Sequence, residues 1–388
     1  MNRCCDAIAH KTSPGILPDA TDSASDDEAP RTTMEHHASF LEGMKTAKAI
    51  REELQQIGAR ARARYPVLAH QDALGLTIFF VACAGIVGNA IAYAKGVIPA
   101  AAAVVIAALL MSILHEIEHD LIHHLYFKNK PAIHRLMMAG VWLFRPNTIN
   151  PWTRRHLHLH HHRASGTESD LEERGITNGE RWGLRRALMT ADGMLAIYLR
   201  PLTMARAIHA YIAERGATTR VERRRLIWQN RLSYVPLGLV HYPVWHAFLL
   251  YHAWMWVAPA LGISFAPSAF VQTIMTSVDF LVIVWLMPNV LRSFCLNFVS
   301  SNIHYYGDVE DGSVVQQTQV WTSPWLFPFE LFCFNFGSTH AIHHFVVRDP
   351  FYVRQLIARE AHQVLREHGV RFNDMGTFSR ANRWADHS

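Results

Sequence analysis

"AAAVVIAALLMSILHEIEHDLIHHLYF", residues 101–127, passes from an uncharged apolar run into a stretch crowded with histidines and carboxylates. No Gly or Pro interrupts it before Pro131, so the reading is one helix carried out of an apolar environment into a polar one. Along that helix His115, His119 and His123 recur every four residues. Each step rises about 6 Å and drifts roughly 40° around the axis, so the three share a stripe; any adjacent pair can grip one metal, and all three cannot.

Working outward, "ALGLTIFFVACAGIVGNAIAYA" (73–94) carries no charge and is long enough to cross a hydrocarbon core of about 30 Å as a helix. The "KGVIP" turn follows, and residues 101–114 return to the starting side as a second span. A third apolar zone (234–263) and a fourth, from Phe270 to Val290, form a second hairpin joined by the uncharged "SFAPS". "LMMAGVWLF" (136–144) is too short to cross and reads as re-entrant or interfacial. The expected fold is therefore an all-α integral membrane bundle of about four transmembrane helices in two hairpins, with a histidine-lined cytosolic helical cap.

Composition agrees with a membrane protein bearing polar extensions. Half of the 388 residues are hydrophobic and only 18% are charged, too apolar for an ordinary soluble enzyme of this size. The net charge of +5 suits an anionic membrane surface, and no basic, aromatic-interleaved patch points to nucleic acid. Lys45, Lys48, Arg51, Arg60, Arg62 and Arg64 precede the first span, and Arg220, Arg223, Arg224 and Arg225 lie between the hairpins, whereas the two hairpin tips hold only Lys95. Both termini and the middle loop are thus expected on the cytosolic side, and "RVERRR" reads as this topology signal. Residues 1–40 read as an acidic disordered tail, 41–72 as a cytosolic amphipathic, basic segment, 73–355 as the membrane domain and 356–388 as a cytosolic tail. The five cysteines make no CxxC or paired framework, so neither disulfides nor a thiolate metal site is indicated.

Histidines gather in three further places. In "RRHLHLHHHRAS" (154–165), His158, His161 and His162 make HxxHH, and His156, His160 and His161 make the alternative HxxxHH. "THAIHHF" repeats HxxHH at His340, His343 and His344, and His304 stands alone in "SNIHYYGD" just past the fourth span. A pair at i and i+3 or i+4 shares one helical face, and each doubled HH offers neighbours that reach different ions, so two metals are implied. Imidazole without thiolate suits Fe, Zn, Cu or Ni, and the count exceeds the four ligands of a lone structural zinc. Lone histidines in apolar stretches, His241, His246 and His252, read instead as hydrogen-bonded core or interfacial residues.

On these residues the chain resembles the membrane-bound fatty acid desaturase and hydroxylase superfamily over roughly residues 70–355. "HDLIHHLYFK" looks like its first histidine box and assigns His119 and His123, while "HEIEH" leaves His115 with His119 as the other pairing. "HLHHHRASGTESD" is similar to the second box and "HAIHHF" matches the third. "SNIHYYG" resembles the further ligand segment NxxxHxYG, except that Ser300 stands four residues before His304, with Asn297 and Asn302 nearby. The resemblance implies two non-haem iron ions, O2 as co-substrate and an external electron donor. The ligands would come from His115, His119, His123, His158, His161, His162, His304, His340, His343 and His344. The carboxylates Asp120, Glu168, Asp170 and Asp308 would orient imidazoles from behind. With no GxGxxG or fused haem segment, the donor would be a separate ferredoxin, rubredoxin or cytochrome. The expected reaction is desaturation of a fatty acyl lipid. Hydroxylation or ketolation of a lipid, alkane or carotenoid is the near alternative, and the expected location is a bacterial inner membrane.

Two readings of another class remain. "HEIEH" is a literal HExxH, which would make His115 and His119 zinc ligands and Glu116 the base of a membrane protease. Asp279, inside the fourth apolar zone, fits either a metal transporter or a carboxylate partnered by a Tyr, Trp or His.

Overall fold

The computed structural model describes residues 29–165, 167, 169–176, 180–304 and 313–379. The chain divides at Leu41: residues 29–41 begin the first helix, and the unit from Glu42 onward holds the rest of it and every later element. Among the described residues the regular structure is helical, with isolated bridges at His304–Thr318 and Val320–Phe372. The helices are α1 (Ala29–Arg64), α2 (Gln71–Ala94), α3 (Ala100–Ile122), α4 (Pro131–Leu143), α5 (Pro151–Ala164), α6 (Leu171–Ile176), α7 (Leu184–Ala191) and α8 (Gly193–Tyr198). They continue with α9 (Pro201–Glu214), α10 (Arg220–Arg231), α11 (Leu237–Ala260), α12 (Ala269–Leu281), α13 (Met287–Ile303), α14 (Phe327–Phe332), α15 (Phe336–Phe345) and α16 (Phe351–Glu367).

α2 and α3 form the hairpin expected from their composition. Buried Ala103, Ala107 and Ala108 let the backbones approach, and the buried Asn89 side-chain NH2 donates to Ala103 O at 2.9 Å. α4, with 13 residues and a length of about 20 Å, is too short to cross and packs on both. Its Gly140 lies so near Phe79 that a Cβ would fall 2.5 Å from the ring.

Among the described residues three helical segments are long and apolar enough to cross a membrane: Gln71–Ala94, Ala100–Ile122 and Ala269–Ile303. The other expected span, α11, has the length at 24 residues, but His241, His246, His252, Pro243 and Pro259 lower its mean hydropathy. The last apolar zone continues well beyond Val290, because α12 and α13 join through a π turn at Val282–Leu286 into one 35-residue helical run. At about 1.5 Å per residue that run is about 52 Å long, so it outlasts a hydrocarbon core of about 30 Å and ends at His304. Inside it Asp279 is partnered, accepting from His252 Nε2 at 2.9 Å.

α3 stops short of the expected Pro131. His123 caps it, His124 takes a left-handed conformation (φ 55°), and the amides of His124 and Leu125 close back onto Leu121 O and Asp120 O at 2.9 and 3.0 Å. This is a Schellman closure built on His where Gly is usual, so no glycine announces it. α16 runs across the 355/356 boundary and packs Val353, Ile357, Ala361 and Leu365 with Ile50, Leu54 and Ile57 of α1.

Candidate metal centre

α3 changes character along its length: residues 114–122 are buried without exception, including His115, Glu116, Glu118, His119 and Asp120. α5 approaches its polar end with Pro151 in the first turn and Asn150 capping through a bond from Thr153 N at 2.9 Å. α13 delivers His304, and α15 brings His340, His343 and His344 after a tight entry in which Phe334 and Asn335 both have φ of 55°. Gly337 packs closely there: a Cβ would lie 2.1 Å from Glu330 Oε1 and displace that carboxylate, to whose Oε2 the Gly337 amide donates at 3.0 Å.

Nine of the ten expected histidines converge tightly. Eight form two groups of four, His119, His123, His158 and His343 in one, and His161, His304, His340 and His344 in the other; within each, the nitrogens lie within 4.8 Å of one another. His162 sits between them, its Nε2 at 3.2 Å from His158 Nε2 and 3.0 Å from His343 Nε2, and its ring 4.8 Å from that of His344. His115 joins neither group: its Nε2 accepts from Arg154 at 3.2 Å and its ring packs on Phe336. Of the two registers in α5, HxxHH faces the centre. His160 turns away to Ser169 and Tyr211, and His156 is exposed.

The imidazoles are oriented from outside. Nδ1 of His158 donates to Glu172 at 2.8 Å, that of His161 to Asp170 at 2.8 Å, that of His344 to Gln317 Oε1 at 2.8 Å, and that of His304 to Gln317 O at 3.1 Å. A ring that donates through Nδ1 keeps its lone pair on Nε2, the atom aimed inward. His343 differs, because Arg354 donates to its Nδ1 at 2.7 Å, and Arg354 is held in turn by Glu116 at 3.2 Å and Asp120 at 3.3 Å. Thus Asp170 stands behind an imidazole as expected, while Asp120 acts one step further back; Glu168 and Asp308 lie outside the described residues. Ser300, at the position of the family's asparagine, donates to Glu173 at 2.8 Å, and that carboxylate is 4.0 Å from His304 Nε2.

Burial holds His162, His304, His340, His343 and His344 well below the usual imidazole range, so these rings stay neutral at pH 7. His161 differs: burial pushes it down, but Asp170, with Glu172 and Glu173, outweighs that and lifts it to about 9. Burial raises Glu173 to about 7. Burial also pushes Glu172 up, yet His158 and Arg154 overcome it and hold the carboxyl below its ordinary range.

A metal suits this donor set. Both ring nitrogens of His119 and Nε2 of His161 are buried without a hydrogen-bond partner among the described residues, a cost that coordination would remove. Each group, its nitrogens within 4.8 Å of one another, could hold one metal ion of the kind that imidazole suits.

Beside the histidines lies a cavity of about 740 Å³. His119, His158, His161 and His340 reach its wall at one side, and α7, α8, α9 and α11 supply apolar side chains such as Met189, Ile197, Met204 and Leu239. A family model described as fatty acid desaturase matches residues 95–376, well over half the chain. No curated protein matches, and neither does any solved structure.

Proposed function

From the premise that this chain belongs to the fatty acid desaturase family, we propose that it is a membrane-bound, O2-dependent, non-haem di-iron oxidoreductase that introduces a double bond into a fatty acyl lipid. The observation that carries this reading is the pair of four-imidazole groups opening on one cavity. His119, His123, His158 and His343 would hold one iron, and His161, His304, His340 and His344 the other. Bound there, the metals would supply O2 activation and removal of hydrogen from an unactivated C–H bond.

The chain's own part is positioning. Glu172, Asp170 and Gln317 fix ring orientation, and burial keeps most of the imidazoles unprotonated and ready to bind. The cavity, within the common range of about 300–1,000 Å³ for small-molecule sites, would hold the acyl chain against the histidine end. Placement of the reacting carbons there selects loss of a second hydrogen over hydroxylation. We place α11 in the membrane as the fourth span and the histidine centre on the cytosolic side, as the lysine and arginine distribution requires. Electrons would come from a separate donor protein.

Expression with a ferredoxin and its reductase, followed by mass spectrometry of cell lipids and metal analysis of the purified protein, tests this. We expect unsaturated acyl product and about two irons per chain. One zinc per chain and an unchanged lipid profile would favour the HExxH protease instead. Against that reading, Glu116 is tied to Arg354, and His115 stands apart from both groups.

A further inference from the structure

Three carboxylates reach the histidine centre from one short stretch, Asp170 just before α6 and Glu172 and Glu173 within it, and they do not meet it alike. Asp170 accepts from His161 Nδ1 and Glu172 from His158 Nδ1, both at 2.8 Å, so each lies behind a ring whose Nε2 faces inward. Glu173 is placed otherwise. His304 directs its Nδ1 to Gln317 O at 3.1 Å, and Glu173 Oε1 stands 4.0 Å from the other nitrogen, Nε2. Of the carboxylates paired with the eight grouped histidines, among the described residues Glu173 alone faces an Nε2. It flanks the four nitrogens of that group at the His304 corner, on the side where a metal would bind.

The surroundings hold this oxygen in place. Ser300 donates to Oε1 at 2.8 Å and precedes His304 by four residues, so the end of α13 carries both the imidazole and the hydroxyl that fixes the carboxylate beside it. Glu173 is 4% exposed, and it lines the cavity together with Ser300 and with His161 and His340 of the same group. A tether between α6 and α13 would need an acceptor but no charge. Imidazoles bind metal as neutral rings, so a divalent ion held by four of them in a buried site keeps its full charge, which a carboxylate at its side offsets. Carboxylate and imidazole together also suit iron. We propose that Glu173 is a fifth ligand of the second metal site, an oxygen donor beside His161, His304, His340 and His344. The first group keeps imidazole alone, because Glu172 is engaged at Nδ1 of His158, and Glu116 and Asp120 act through Arg354. The two sites then differ in donor set and in charge. This deepens the di-iron reading and rests on it only for the second group holding a metal.

Cobalt(II) alone, titrated into the full-length, metal-free protein in detergent, tests the assignment without turnover. Wild type is compared with Glu173→Gln, Glu173→Ala and Glu172→Gln, with melting curves of the metal-free proteins checking that each is folded. Glutamine keeps an acceptor for Ser300 and loses the charge, so a mere tether would survive it; Glu172→Gln sets the change that an outer carboxylate causes. Two quantities are read: the visible d–d bands, which follow the donors bound to cobalt, and affinity by competition with a chelator. We expect two ions per chain in wild type. Glu173→Gln and Glu173→Ala should each shift the bands and weaken one ion by more than about 100-fold, beyond the about 10–100-fold expected of an outer carboxylate. Bands that match wild type in both Glu173 variants, whatever the affinity, or a shift no larger than that of Glu172→Gln, would overturn the proposal. Fewer than two ions per chain in wild type would overturn it together with the two-metal reading. Two ions with bands that depend on Glu173, but no unsaturated product on expression, would uphold the ligand and defeat the desaturase reading.

Discussion

The two imidazole groups look alike in number and burial but are supported differently. The group of His119, His123, His158 and His343 is backed by charge: Arg354 with Glu116 and Asp120 on one side, and Glu172 with Arg154 on the other. Around the group of His161, His304, His340 and His344 stand Asp170 against His161, Glu173 at 4.0 Å from His304 Nε2, and the neutral Gln317, which serves two rings at once through its side chain and its carbonyl. Buried ion pairs lose heavily when one partner is removed, whereas an amide support fails more gently. Equal sets of imidazoles can therefore be unequal in fragility, with the first group dependent on α16 for its integrity.

The largest effect should come from removing a ligand. Alanine at His161 or His343 is expected to abolish turnover, each variant losing about one metal ion per chain. If the groups are separate sites, metal analysis should show the other ion retained; loss of both ions from either variant would merge them into one cooperative unit. A smaller effect should follow from the outer carboxylates. Glu172→Gln and Asp170→Asn are each expected to weaken metal binding by about 10–100-fold, the first at the His158 group and the second at the His161 group. Competition titration with a chelator would read this, and an equal loss at both groups from either variant would break the distinction.

The smallest effect should be shared, because Glu330 sets the start of α15, which feeds both groups. Burial lifts its carboxyl from 4.5 to about 7. Between those values the unfolded chain ionises while the folded protein resists, so stability falls as pH rises through that window. Glu330→Gln should therefore melt above wild type at pH 8, by an amount on the order of 1–3 kcal/mol, with the gap closing below about pH 4.5. Parallel melting curves at the two pH values check this, and a constant gap would show that the titration of Glu330 is not its source.

Legibility in the sequence tracks the range of the interactions. The α2–α3 hairpin and the all-helical plan can be read because apolar runs and four-residue spacing are local signals. The convergence of the three multi-histidine clusters with His304 is likewise legible, since each pattern presents its rings on one helical face. The end of α3 is not, because His124 occupies a conformation that composition assigns to glycine. Nor is the choice among His115, His119 and His123, which depends on Arg154 arriving from α5 to occupy the first. Gln317 and Arg354 lie distant in sequence from the rings they orient and carry no motif. Glu172 has a faint sign, the acidic "ESDLEE" after the second cluster, in which composition alone does not favour it over its neighbours.

The 35-residue run from Ala269 to Ile303 also ties the centre to its surroundings. A helix read as crossing the bilayer cannot adjust its tilt to a thicker or thinner lipid layer without swinging the end that carries His304, unless it flexes on the way. The π turn at Val282–Leu286 stands partway along, where such bending is most easily absorbed. A change in hydrocarbon thickness would therefore be met first at that bend, before it reached the imidazoles.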